Sequence, residues 1–258
     1  MRFACFFLIL TTALTAQTRV LLKAVRVGHL LVLKDVFLNG VGPFRMAIDT
    51  GNASSLIRPE VARRLCARAV HAVEQVTTAG VRRVPVVLLD RVTTGALTER
   101  TVEAMVGDVR LDALDGVLGQ SWLVRHDYLL DYRSNWVVVD GVPPDRGLSS
   151  ALHSEDGRPL LSAKVDGESS ELLLDSGASM VVLFECTGQV RRKATLLTNG
   201  DSVEAGETST KIALQGDKER NMHAVCVSSS QHARGLLPAS VFSAVFVSNR
   251  NGFLRLTR

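Results

Sequence analysis

Cysteine is scarce in this chain of 258 residues, with four in all. So few cannot form the disulfide framework of a small secreted scaffold, so a packed core must supply the stability. Aromatics are also few, at 5%, and the chain has only two tyrosines and two tryptophans. Trp122 and Trp136 read as core packing rather than as a ligand platform. There is no block of one charge: 30 basic and 26 acidic residues leave a net +4 spread along the chain. Pairs such as Arg63-Arg64, Arg82-Arg83 and Arg191-Arg192-Lys193 read as solvated surface, and no nucleic-acid partner is expected. The six histidines form no His-Glu-x-x-His pattern, and no cysteine pair has zinc spacing, so no metal is expected. Neither a phosphate-binding glycine loop nor a dinucleotide fingerprint occurs, and no cofactor is expected. Gly119-Gln-Ser121 opens like a nucleophile elbow but lacks the closing glycine, so Ser121 reads as structural.

One apolar run stands out, Phe3 to Ala16, flanked by Arg2 and ending in the small residues Ala13, Thr15 and Ala16. It is too short for a comfortable membrane span and fits a secretory signal over residues 1–16, with an uncleaved N-terminal anchor as the alternative. No other run approaches the ~20 apolar residues of a spanning helix. The mature protein is therefore expected to be exported, periplasmic or secreted, without a membrane span, and monomeric. Export permits disulfides: Cys186 with Cys226 is the candidate pair, and Cys66 is expected as a buried free thiol.

The rest of the chain reads as an imperfect duplication. In the first half, Leu30 to Leu33, Val36 to Leu38, a turn at Asn39-Gly40 and Phe44 to Ile48 predict a hairpin. In the second half, Leu160 to Val165, a turn at Asp166-Gly167 and Glu171 to Leu174 repeat it. Each hairpin delivers an aspartate into a hydroxyl residue and a glycine: Asp49-Thr50-Gly51 and Asp175-Ser176-Gly177. Downstream, Pro59 to Val70 predicts the clearest helix, and Val84 to Leu89, Val92 to Thr94 and Thr101 to Val106 predict strands. A second landmark follows in each half, Gly116-Val-Leu-Gly119 and Gly235-Leu-Leu-Pro238. Each leads to a short helical piece (Gln120 to Val124, Ala239 to Ser243) and a last hairpin. The turn-rich stretch from Gly141 to Ser150 separates the halves, giving lobes over residues 17–145 and 146–258. Short strands with regular turn signals and few helices predict an all-β fold.

Two carboxylates brought within a few ångströms cannot both ionise cheaply, so one pKa falls, the other rises, and the pair holds a proton between them. Such a dyad can take a proton from water while giving one to a carbonyl oxygen, with no metal and no covalent intermediate. Asp-[Ser/Thr]-Gly arises by chance about 0.1 times in a chain of this length. Two copies, each after an apolar strand and each trailed by a similar landmark, are hard to ascribe to chance. Thr50 and Ser176 are suited to hydrogen-bond across the halves, and Gly51 and Gly177 to let backbone N–H groups approach the carboxylates.

These motifs, with Gly-Val-Leu-Gly and Gly-Leu-Leu-Pro behind them, resemble the clan of pepsin-like and retropepsin-like aspartic proteases, nearest to a single-chain double retropepsin. The resemblance implies two β-barrel-like lobes with a cleft between them, Asp49 and Asp175 as catalytic residues holding the nucleophilic water, and a peptide or protein substrate. It also implies a hairpin flap with its tip near Thr77-Thr78-Ala79-Gly80. Thr78, Ala79 and Gly80 would touch substrate, and Thr198-Asn199-Gly200 would be a second tip. The chain departs from the clan's pattern at Asn52, Ala178 and Pro238, and it has no tyrosine in the flap segment. Ala178 offers no hydroxyl to stabilise an ionised dyad, so a working pH nearer neutral than pepsin's is expected. The implied activity is aspartic endopeptidase, the alternative an inactive peptide-binding module on the same fold.

Overall fold

Turn chemistry sets the strand pairing. Asn39 and Gly40 have φ of 51° and 83°, Asp156 and Gly157 51° and 77°, and Asp166 and Gly167 51° and 91°. Two consecutive positive φ values make the tight hairpin turn whose twist matches that of the strands, and Asn-Gly and Asp-Gly adopt it most readily. The computed structural model describes residues 18–77, 80–109, 111–185, 192–197, 202–228 and 233–258. The first half runs β1 (Val20–Val27), β2 (Leu30–Leu38), β3 (Val41–Ile48), β4 (Ser55–Ile57) and α1 (Pro59–Arg64). It continues through β5 (Ala69–Thr77), β6 (Gly80–Thr94), β7 (Leu97–Val106), β8 (Gly116–Leu118), α2 (Gln120–Leu123), β9 (Tyr128–Asp131) and β10 (Trp136–Val139). The second half runs β11 (Leu148–Ala151), β12 (His153–Glu155), β13 (Arg158–Val165), β14 (Glu168–Asp175), β15 (Val181–Leu183), β16 (Arg192–Leu197) and β17 (Ser202–Leu214). It ends with β18 (Arg220–Cys226), β19 (Gly235–Pro238), a 3₁₀ turn (Ala239–Val241), β20 (Ala244–Ser248) and β21 (Phe253–Thr257).

The duplication is visible in the strand order. In the first half the order is β2-β3-β8-β4-β7-β6-β5, with β2 also pairing β6; in the second it is β13-β14-β19-β15-β18-β17-β16, with β13 also pairing β17. The extra pairing curls each sheet back on itself, barrel fashion. Strand directions repeat too: β3 with β8 and β14 with β19 are parallel, as are β4 with β7 and β15 with β18. A further run, β11-β21-β20-β9-β10-β1, joins the halves, because the last hairpin of each half meets the other between β9 and β20. The division drawn at residues 145 and 146 falls between β10 and β11.

The main core takes apolar side chains from both halves, including Phe44, Ile48, Trp122, Leu172, Leu174 and Phe242 among fully or almost fully buried residues. Each such side chain contributes roughly 1.5–3 kcal/mol on leaving water. Trp122 is buried as expected.

Three sequence expectations need correction here. The helix predicted over 59–70 stops at Arg64, because Cys66 takes φ of +50°. The N–H of Cys66 donates to Arg63 O and that of Ala67 to Ala62 O, a Schellman ending that glycine usually supplies. The chain leaves this ending to become β5, where Ala69 already pairs with Val87. For the same reason Cys66, free as expected, is exposed rather than buried. Val84 to Leu89 and Val92 to Thr94 belong to one long strand, β6, whose far end closes the barrel against β2. Cys226 is disulfide-bonded, and Cys186, its expected partner, lies outside the described residues.

Candidate active site

Asp49 and Asp175 arrive at the ends of equivalent strands. β3 runs parallel to β8, pairing Ile48 with Leu118, and the N–H of Asp49 donates to Leu118 O at 3.0 Å. β14 runs parallel to β19, pairing Asp175 with Pro238. The glycine-bearing landmarks are thus the strands lying beside the aspartates. Gly116 and Gly235 are required for closeness: a Cβ on Gly235 would lie 3.1 Å from the backbone carbon of Val182, and one on Gly116 2.8 Å from Met46 Cε.

The two loops lock together through their hydroxyls. The N–H of Thr50 donates to Ser176 Oγ at 2.9 Å, and the N–H of Ser176 donates to Thr50 Oγ1 at 2.9 Å. Each hydroxyl passes its own proton across: Thr50 Oγ1 to Leu174 O at 2.6 Å, Ser176 Oγ to Ile48 O at 2.8 Å. Four crossed bonds between residues at most 2% exposed leave no freedom for one loop to slide past the other.

The glycines let the carboxylates meet. A Cβ on Gly51 would stand 2.5 Å from Asp175 Oδ2 and 2.6 Å from Oδ1, and one on Gly177 2.8 Å from both oxygens of Asp49. Each carboxylate therefore rests against the other loop's glycine. Donors are unequally shared. Asp49 Oδ1 accepts from Gly51 N–H at 3.0 Å, and its Oδ2 accepts from the Asn52 side-chain amide at 2.8 Å. Asp175 Oδ1 accepts the N–H groups of Gly177 at 2.7 Å and Ala178 at 3.1 Å, with no side-chain donor outside the pair among the described residues. The backbone N–H of Ala178 thus serves where a hydroxyl is missing.

Burial raises the Asp49 pKa above its ordinary 3.8, opposed first by the Asn52 amide. Burial and then the negative charge of Asp49 push Asp175 up to about 8. The Asn52 amide stabilises the ionised form of Asp49, so in the singly protonated pair the proton resides on the Asp175 side. Tyr132, buried nearby, is held neutral: burial, reinforced by the charge of Asp175, pushes its phenol above the ordinary range.

Sequence reasoning missed two supports. The Gln120 amide donates to Thr50 O at 2.8 Å, and His29 Nε2 donates to Gly177 O at 2.8 Å, so each loop is held from behind by a residue distant in sequence. Ser121 is structural as read: its hydroxyl bonds Ser55 and Glu103 O. Of the residues expected at a flap tip, Gly80 is exposed at a φ of 127°, whereas Thr78 and Ala79 lie outside the described residues, as do 198–200. Among the described residues, no group of three or more His, Cys, Asp or Glu side chains is gathered as a metal site would need. A depression of about 830 Å³ on the second half, lined by Lys164, Glu171, Phe184 and Arg234 among others, shares no residue with the carboxylate site.

The fold and part of the sequence have known counterparts. Residues 34–125 match the family described as "gag-polyprotein putative aspartyl protease". The crystal structure of an aspartic proteinase from Irpex lacteus superposes with a TM-score of 0.62 over 93% of this chain and 97% of that one, at 12% identity. This chain therefore shares the fold of that proteinase. A retropepsin-like aspartic protease from Rickettsia conorii is 21% identical over 47% of this chain and 89% of its own length, with a TM-score of 0.34. A search of curated proteins returned no match. The fold is nearly all β, in two sheets, and matches a pepsin-like bilobal fold, as expected from the sequence.

Proposed function

We propose that this protein is an exported, monomeric aspartic endopeptidase that hydrolyses peptide bonds through a water activated by Asp49 and Asp175. The observation that carries the reading is the contact of each carboxylate with the opposite loop's glycine, fixed by the crossed Thr50 and Ser176 hydroxyls. In the proposed step, ionised Asp49 takes a proton from the water as its oxygen bonds to the peptide carbonyl carbon. Asp175 gives its proton to the carbonyl oxygen, and a neutral gem-diol results. On collapse Asp49 gives its proton to the amide nitrogen as the C–N bond breaks and Asp175 takes one from a gem-diol hydroxyl, leaving an acid, an amine and the singly protonated dyad.

The test is cleavage of a peptide library by the full chain with and without pepstatin, alongside Asp49→Asn and Asp175→Asn. Cleavage that pepstatin stops, and that both variants lose by about 10³-fold or more, is expected. Equal turnover by all three proteins would leave the peptide-binding alternative.

A pH profile follows from the same groups. The working dyad carries one proton, so kcat/KM falls as pH rises through the upper pKa, near 8, because the acid is lost. It falls again at low pH, where Asp49 is protonated and the base is lost; that limb lies above 3.8 because burial raises Asp49. Asn52→Ala removes a donor to ionised Asp49 and is expected to move the acid limb up by about one pH unit, narrowing the bell from that side. A profile peaking at pH 2–3, or an acid limb that Asn52→Ala leaves in place, would contradict this.

A further inference from the structure

One peptide unit joins a histidine of the first half to the carboxylate of the second. Gly177 O and the N–H of Ala178 belong to that unit, and a trans peptide points them in opposite directions. On one side His29 Nε2 donates to Gly177 O at 2.8 Å; on the other the N–H of Ala178 donates to Asp175 Oδ1 at 3.1 Å. A carbonyl oxygen only accepts, so the imidazole carries a proton on Nε2, as both the neutral Nε2–H tautomer and the cation do. Hydrogen bonds in line polarise one another by about 10–30% per bond. Donation by His29 therefore strengthens the hold of Ala178 on an ionised Asp175.

The duplicated halves differ at this point. His29 sits in the β1–β2 turn, between the paired Val27 and Leu30; the matching β12–β13 turn, between the paired Glu155 and Arg158, has Gly157 in that place. Both turns approach the opposite half. Gly157 has no side chain to donate. A Cβ there would lie 3.4 Å from Gln120 Cβ, so its turn rests against the residue whose amide donates to Thr50 O. Asp49 has the Asn52 amide directly on its carboxylate, whereas Ala178 offers Asp175 only a backbone N–H, and that is the one His29 backs. Among the described residues, the titratable groups around Asp175 are Asp49 on the facing loop and the neutral Tyr132, whose ring Arg26 of β1 covers at 5.2 Å. Arg26 Nε also donates to Gly28 O, beside His29, at 3.2 Å.

We propose that His29 is a positioning residue for Asp175: from the first half of the chain it aligns and polarises the Gly177–Ala178 peptide, whose N–H holds the Asp175 carboxylate. It does so without touching the reacting atoms. Loss of its N–H weakens the hold on the ionised form, so Asp175 keeps its proton to higher pH and the alkaline limb of kcat/KM moves up. The bearing on catalysis rests on the protease reading, and the test separates the two.

His29→Phe keeps a ring without a donor, His29→Leu is a second donor-free variant, and His29→Gln keeps an amide N–H at similar reach. In the first arm, kcat/KM of the full chain is followed against pH. In the second, the Asp175 carboxyl is titrated by carbon-13 NMR without substrate, as the resonance that Asp175→Asn removes. Both donor-free variants are expected to raise the upper titration by about half a pH unit, and His29→Gln to leave it near wild type. A merely structural His29 would lower stability or rate alike at every pH and leave the titration in place; that result overturns the inference. So does an equal rise in His29→Gln. Wild type gives a third readout: the ring nitrogen-15 shifts of His29 are expected to show a proton on Nε2. A proton on Nδ1 alone overturns the inference, even if no variant folds. Absence of cleavage by wild type overturns the protease reading alone, because the NMR arm still decides the role of His29.

Discussion

Gly51→Ala is expected to lower kcat/KM by about 10²-fold or more while the protein still folds. Its added Cβ would stand 2.5 and 2.6 Å from the two oxygens of Asp175, closer than any stable contact. Gly51 has no positive φ, so its backbone suits alanine and the clash alone decides the outcome. The Thr50 and Ser176 bonds hold the backbone, so the Asp175 side chain must give way. It can do so only by retreating from Asp49. Displacing one member of a reacting pair by about 1 Å is enough for a loss of this size. Gly177→Ala acts in the same direction but less strongly, since its Cβ would meet Asp49 at 2.8 Å. Rates measured beside far-ultraviolet circular dichroism check this. A Gly51→Ala protein with the wild-type rate would mean that the carboxylates have room to spare.

The largest stability effect is expected at the hydroxyl lock. Thr50→Val keeps the shape but removes the donor to Leu174 O and the acceptor of the Ser176 N–H. Both groups are then left buried and unpaired. At about 1–3 kcal/mol each, the loss is about 2–6 kcal/mol, a large share of the 5–15 kcal/mol that holds a typical domain together. Thr50→Ser preserves both bonds and is expected to stay near wild type. Ser176→Ala strips Thr50 N–H and Ile48 O in the same way and should cost about as much. Urea unfolding measures all three. A Thr50→Val midpoint equal to that of Thr50→Ser would show that the lock adds nothing.

Much of this was legible in the sequence because it is local. Asn39-Gly40 and Asp166-Gly167 encode their hairpins in two residues, and an apolar strand running into Asp-Thr-Gly or Asp-Ser-Gly marks the end of β3 and β14. What was not legible depends on approach in space. His29 and Gln120 reach Gly177 and Thr50 from remote positions, and nothing in their neighbours signals it. The pairing of β9 with β20 joins two hairpins that each look complete alone. The α1 helix was overextended because a cysteine, not a glycine, takes the left-handed position that ends it. Asn52 stood out only as a departure, and its use became clear once its amide was found on Asp49 Oδ2. Arg82, read as solvated surface, is half-buried and donates to Gln75, because alternation along a hairpin says which residues share a face, but not which face is covered.

The central claim is that Asp49 and Asp175 act as one proton-sharing unit. It is tested most directly by kcat/KM for Asp49→Asn, Asp175→Asn and the double variant on one peptide. If the unit is indivisible, each single change removes about 10³-fold or more and the double change removes little beyond either alone. Losses that multiply in the double variant, or a single variant that keeps wild-type turnover, would contradict it.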